Sequence, residues 1–367
     1  EFLTEQIYLA DSLERQAELH ARVARLWEQA PANADRAVEM WSAVLDARET
    51  DAEAFDALER LLAELGRLEQ LVDVLARRAA VSPPENARGL FLRIGAIRSQ
   101  QGQTLDAVEA YRNVLDADPG DLAALEALAS ALGSAESGAE LVEVLDRWAE
   151  ALGPAQAEAQ AEVAIRAASV VVDRLGDAGG ALERIRSFLT DDPRPDALAV
   201  TDRLLEFAET AAQTAALIEP IYRTRGDLAG VARVLDSQAR LEPDPARRRD
   251  LLTDLAAVVE SGVGDSALAM RLWTDALTIE PADATILASA IRCASESGVL
   301  SDLVTRLDEI ARSVEDVAIA VGLMRTGGAL CVSPIGDDEA AAARYQVARS
   351  WAPDDDETLA ALDEVYE

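Results

Sequence analysis

The chain contains no lysine, and all 34 of its basic residues are arginine. Schiff-base chemistry and the lysine of a phosphate-binding loop are therefore excluded. One histidine, His20, and two cysteines, Cys293 and Cys331, are too few and too far apart to assemble a zinc site or a disulfide framework. No cofactor and no metal are implied. Aromatic residues make up only 4% of the chain, so a core must be built from Ala, Leu and Val. Apolar runs fall short of the ~18 to 20 residues that span a bilayer, so no membrane insertion is expected. No charged and apolar leader opens the sequence, and a reducing cytoplasm is the expected setting.

What is abundant is acid. Sixty-eight Asp and Glu face the 34 arginines, for a formal net charge of −34. Such a field repels nucleic acid and anionic lipid, and it keeps a long chain soluble.

Bulky residues recur along the whole sequence: Leu3, Trp41, Leu75, Tyr111, Leu145, Ile185, Leu235, Trp273, Leu307 and Tyr345. Their spacings are 38, 34, 36, 34, 40, 50, 38, 34 and 38 residues. A period in the thirties marks a helical solenoid, in which no unit buries its apolar face alone. The unit from Asn86 to Pro119 is the clearest. Phe91, Ile94, Gly95 and Ile97 share one face of a first helix, and Ala107, Tyr111, Val114 and Leu115 share one face of a second.

Phe91, Ile94-Gly95, Ala107, Tyr111, Val114 and Pro119 resemble the tetratricopeptide repeat. The late half of that motif recurs as Ala37/Trp41/Val44, Ala181/Ile185/Pro193, Ala269/Trp273/Ala276/Pro281 and Ala341/Tyr345/Ala348/Pro353. Intervening units carry Leu71/Leu75/Ala79, Leu141/Leu145/Ala149, Val231/Leu235/Ala239 and Leu303/Leu307/Ala311, each preceded by Gly66, Gly138, Gly226 or Gly298. The resemblance implies an all-α, right-handed α-solenoid of about nine complete helical hairpins. Both ends read as cut inside a repeat: Leu3 and Ile7 match the end of a second helix, Leu359 and Tyr366 part of a first.

The gap of 50 residues between Ile185 and Leu235 exceeds the commonest one by about one helix and its turn. Three segments are expected: an array over 1–193, an inserted helical segment or kink over 194–226, and a second array over 227–367.

No catalytic constellation is visible, so the chain reads as a noncatalytic scaffold. Its partner is a protein or peptide held in a concave groove, and not nucleic acid. The alternatives are a self-associating solenoid, or the interaction module of a larger enzyme or regulator. His20 aligns with Phe91 and reads as a packing residue, and the cysteines read as buried and inert. Asp337-Asp338-Glu339 and Asp354-Asp355-Asp356-Glu357 read as helix starts. One polar pattern is periodic. Arg22, Arg93 and Arg166 hold equivalent positions on first helices, 71 and 73 residues apart, with Asp254 next in the series. First helices line the groove in the resembled family, so these three are the candidate partner-binding residues, facing a carboxylate.

Overall fold

The computed structural model describes residues 6–7, 10, 12–29, 33–134, 137–189 and 193–366. Leu3 lies outside them. Every regular element among the described residues is helical, and none is a strand. The chain divides into two compact units, residues 1–176 and 177–367. That division falls ahead of the segment 194–226 that the sequence sets apart.

The first unit is an α-solenoid of nine helices among its described residues: α1 (Leu13–Glu28), α2 (Ala34–Ala47), α3 (Ala52–Glu64), α4 (Leu68–Val81), α5 (Pro84–Gln100), α6 (Thr104–Ala117), α7 (Leu122–Gly133), α8 (Gly138–Leu152) and α9 (Ala157–Leu175). Each packs on the next. Short connections make sequence neighbours spatial neighbours, as in any helical hairpin.

The second unit begins with α10 (Ala178–Ile185), α11 (Pro195–Leu204), α12 (Ala208–Arg225) and α13 (Leu228–Leu241). It continues through α14 (Pro245–Val258), α15 (Ser266–Ile279), α16 (Ala284–Ser297), α17 (Leu300–Ser313), α18 (Val317–Leu330), α19 (Asp338–Trp351) and α20 (Asp356–Tyr366). The excess residues of the 50-residue gap form α11, a ten-residue helix packed on α10 and α12. A short π-helical turn, Val259–Val263, extends α14, whereas after α18 the chain kinks at Ser333, whose φ of −149° and ψ of 124° are extended.

Two kinds of corner set the helix boundaries. At several corners where a second helix hands over to a first, an aspartate caps it. Asp51, Asp121, Asp283 and Asp316 each accept a backbone N–H of the helix they precede, which satisfies one of its orphan donors. Asp355 does the same for α20, and Asp337 caps the second helix α19, as the acidic runs there predict. Where a first helix hands over to a second, a glycine turns in the left-handed region. Gly226 has φ of 68°, a conformation costly for any residue with a Cβ. Gly66 and Gly298 do likewise, but Gly138 does not. It is the first residue of α8, and a Cβ there would lie 3.1 Å from both Arg174 Cβ and Leu175 Cδ2 of α9.

The ladder of bulky residues forms the interior. Trp41, Leu75, Tyr111, Leu145, Ile185, Leu235, Leu307 and Tyr345 are all buried, and Trp273 is partly so. The aromatic rungs need room, and the preceding first helix supplies it by lacking a side chain. A Cβ on Gly95 would come within 2.6 Å of Tyr111 Cζ, and one on Gly328 within 2.7 Å of Tyr345 Cζ. Ala24 and Ala256 sit 17 residues before Trp41 and Trp273, and both are fully buried.

One sequence expectation is corrected. Val317–Ile335 is long and apolar enough to cross a membrane by length and composition. Arg325 and Pro334 interrupt the run, which is why reading for unbroken apolar stretches passes over it. In the structure its Val321, Leu323, Met324 and Cys331 join the core of the second unit, and α18 packs between α17 and α19.

Glycine-to-alanine exchange normally stabilises a helix interior by up to about 1 kcal/mol. Gly89 and Gly95 lie in the same helix, and only Gly95 is filled from outside by a ring. Gly89→Ala is therefore expected to raise the urea midpoint, while Gly95→Ala lowers stability by about 1 to 3 kcal/mol through overpacking. Tyr111→Ala should cost about 3 to 5 kcal/mol, with hydrogen exchange accelerating first over residues 86–151. A Gly95→Ala protein as stable as Gly89→Ala refutes the close approach.

Candidate functional site

Arginine joins neighbouring repeats throughout the structure. Arg25 of α1 donates two bonds to Glu53 of α3, at 2.5 and 2.7 Å. Arg60 of α3 reaches back to Glu28 of α1 at 2.5 Å, and Glu28 also accepts Trp41 Nε1. Arg88 of α5 grips Asp121. In the second unit Arg306 bonds Asp275 at 2.9 Å, and Arg344 forms a two-pronged bond to Asp308 at 2.8 and 3.0 Å. The partners are 28 to 36 residues apart, about one repeat. A planar guanidinium that donates through two nitrogens suits this bridging better than a point-charged ammonium.

Against that background the three candidate arginines differ from one another. Arg22 on α1 is exposed and makes no bond among the described residues. Arg93 on α5 is half-exposed and donates to Glu59 of α3, a nearly buried carboxylate that also accepts Arg78. Arg166 on α9 has a single long contact to Ala129 O, 3.5 Å. No bond or shared carboxylate links the three. Asp254, the next in the series, lines a groove of about 510 Å³ beside α12, α13 and α14.

Sequence reading passes over a second column. Glu39, Asp73, Glu109 and Glu143 stand two residues before four successive rungs, on α2, α4, α6 and α8. All are exposed, and no side-chain bond among the described residues neutralises them. Their common register places one exposed carboxylate on each of these second helices.

The structure also holds two equivalent grooves at helix corners. In the first unit, Ala79, Ala87, Phe91, Val114 and Ala117 line a groove of about 530 Å³ among α4, α5 and α6. In the second, Ala239, Arg240, Arg248, Leu252, Leu272 and Ile279 line one of about 540 Å³ among α13, α14 and α15. The run Arg247-Arg248-Arg249 is the sequence signal for the latter, and it escapes a search for columns because it does not repeat.

The remaining chemistry is quiet. His20 is part-buried with its Nδ1 unbonded, and burial lowers its pKa, in keeping with a packing role. Cys293 and Cys331 are buried and unpaired, and burial pushes the Cys293 thiol up to about 11. No group of three His, Cys, Asp or Glu among the described residues is placed to hold a metal ion.

No protein-family model and no curated protein matches the sequence. Among solved structures, the chain is similar to one described as Naa15/Naa10 bound to HypK-THB, at 14% identity and a TM-score of 0.44, over 99% of this chain and 65% of that one. The chain thus spans less than two thirds of that structure's length. It is similar to YrrB, described as a TPR protein with an unusual peptide-binding site, at 15% identity and a TM-score of 0.31, over 56% and 91% of the two chains. A tetratricopeptide repeat protein from Parabacteroides merdae is similar over 86% of this chain and 98% of its own, at 13% identity and a TM-score of 0.30. The architecture described above stands on the chain's own helices and packing.

The inter-repeat bonds carry a pH signature. The Arg88 guanidinium, helped by the Ala124 amide, holds the Asp121 carboxyl below its usual range. A lowered folded-state pKa contributes stability above the ordinary carboxylate value of about 4, and this is lost as pH falls through the lowered value. Acid also relieves repulsion among the excess carboxylates, so the difference between two proteins is the clean measure. Wild type should exceed Asp121→Asn in urea midpoint at pH 6, and the gap should close between pH 4 and 2. A gap that persists at pH 2 refutes the ionic origin.

Proposed function

We propose that the chain is a noncatalytic scaffold that binds a protein or peptide partner across its first helices, with Arg22, Arg93 and Arg166 facing carboxylates of that partner. The observation that carries this reading is Arg22. Many arginines among the described residues join repeats, whereas Arg22 is exposed and bonded to nothing described. Arg166, with one 3.5 Å contact, is nearly as free. Stacked hairpins present such side chains at a fixed repeat, which suits an extended or helical segment. A local positive strip inside an acidic chain steers an acidic segment to one place. Two similar solved structures, one bound to HypK and one with a peptide-binding site, are in keeping with this class of function.

Arg93 is a poor first target, because Arg93→Glu would set a second carboxylate against Glu59. Arg22→Glu and Arg166→Glu disturb no ion pair of the fold. Affinity capture with wild type, followed by titration of the captured partner, is expected to show roughly ten- to a hundredfold weaker binding for the double variant, about 1.4 to 2.8 kcal/mol, at unchanged helix content. Equal affinity of the two proteins sinks the arginine strip. Light scattering that shows concentration-dependent mass in place of a partner complex favours self-association.

A further inference from the structure

We infer that the corner groove among α13, α14 and α15 is a binding site for a carboxylate carried on a short apolar group. This goes beyond the scaffold reading, because the groove lies in the second unit and uses none of Arg22, Arg93 or Arg166.

The two corner grooves are built alike, and their differences are informative. Pro84 opens α5 as Pro245 opens α14. Counting from these prolines, Arg249 falls at the position of Arg88, Arg248 at that of Ala87, and Leu252 at that of Phe91. Arg88 crosses to Asp121 at the next corner. Arg249 takes over that task, approaching Glu280 at 3.7 Å and Asp250 at 2.6 Å. Arg248 is therefore surplus to the joining of repeats. Where the first unit has Ala87 in its groove lining, the second has the guanidinium of Arg248.

That guanidinium is not solvated freely. Arg248 is part-buried, and its Nε is buried with no hydrogen-bond partner. The buried Nε marks a guanidinium held partly out of water, and its charge acts on an acceptor at the groove more strongly than a fully solvated charge would. Arg240, across the groove on α13, is also without a partner among the described residues. Of the two acidic residues in the lining, Asp275 is already bonded to Arg306 at 2.9 Å. Asp236 alone opposes the two arginines, which leaves the groove locally positive in a chain of net charge −34.

The shape of the lining selects among anions. Leu252, Leu272, Ile279 and Ala239 form an apolar wall beside the two guanidinium groups. A phosphate dianion has nothing to place against that wall, and Asp236 opposes a double charge more than a single one. A carboxylate with an aliphatic neighbour uses both surfaces, accepting from a planar fork while burying its apolar part. A volume of about 540 Å³ holds one such group with a residue or two of chain.

The shared chemistry has two sources, a small free acid or the carboxylate end of a polypeptide, and calorimetry on the chain described here separates them. The probes are acetyl-Ala-Leu with a free C-terminal carboxylate, its C-terminal amide, and hexanoate. The free-acid dipeptide is expected to bind saturably, the amide at least tenfold more weakly. Hexanoate binding in competition with the dipeptide assigns the site to small acids, and binding of the dipeptide alone assigns it to polypeptide ends. Arg248→Met keeps the apolar stem, removes no bond of the fold, and should weaken the dipeptide at least tenfold at unchanged helix content. Arg240→Met should weaken it severalfold, and Arg22→Glu should change nothing. The inference is overturned by an amide that binds as well as the acid, by a dipeptide that ignores Arg248→Met, or by no saturable binding at millimolar concentration.

Discussion

Helix separation inside a hairpin is fixed where a ring meets a missing side chain. Tyr111 lies on Gly95 and Tyr345 on Gly328, so close that no Cβ fits between ring and backbone. Tyr111 and Tyr345 can therefore be buried without pushing their two helices apart. Everything farther out depends on that spacing: the leucine rungs of the next hairpin, the reach of each inter-repeat arginine, and the width of the corner grooves. A chain with 4% aromatic residues places its few large rings at the points where they set geometry.

Charge is organised on a second level. Because every cation is an arginine, each can hold two acceptors at once, as Arg98 does with Glu69 and Gln103. Such partly exposed pairs each contribute little, about 0 to 1 kcal/mol. Repeated along a one-dimensional array, they act at every junction, where nearest-neighbour terms decide stability. Other arginines, Arg22, Arg240 and Arg248 among them, make no such bond among the described residues.

Much of this was legible in the sequence. The ladder from Trp41 to Tyr345 gave the interior, because period and burial have the same cause. The weaker points have physical reasons. Gly138 looks like its counterparts in spacing, but whether a glycine serves a left-handed corner or a tight contact depends on the helix opposite. Trp273 keeps the rung position and is only partly buried. The bond from Arg93 to Glu59 spans 34 residues, one repeat, and that spacing was the available hint that Arg93 is not wholly free. Arg248 was illegible for a different reason. Its lack of a partner is a property of three helices together, and only the unrepeated triplet of arginines marks it in one dimension.

The extra helix α11 shows how this architecture tolerates growth. Asp202 on α11 accepts Arg233 of α13 at 3.3 Å, 31 residues downstream, the same reach as the bonds elsewhere in the array. The insertion was thus not left outside the network as a loop; it supplies a junction of its own. A solenoid whose joints each need only a carboxylate about one repeat away can lengthen by duplicating or acquiring helices, one junction at a time, without redesigning the repeats on either side. Its unit of inheritance is the junction as much as the hairpin.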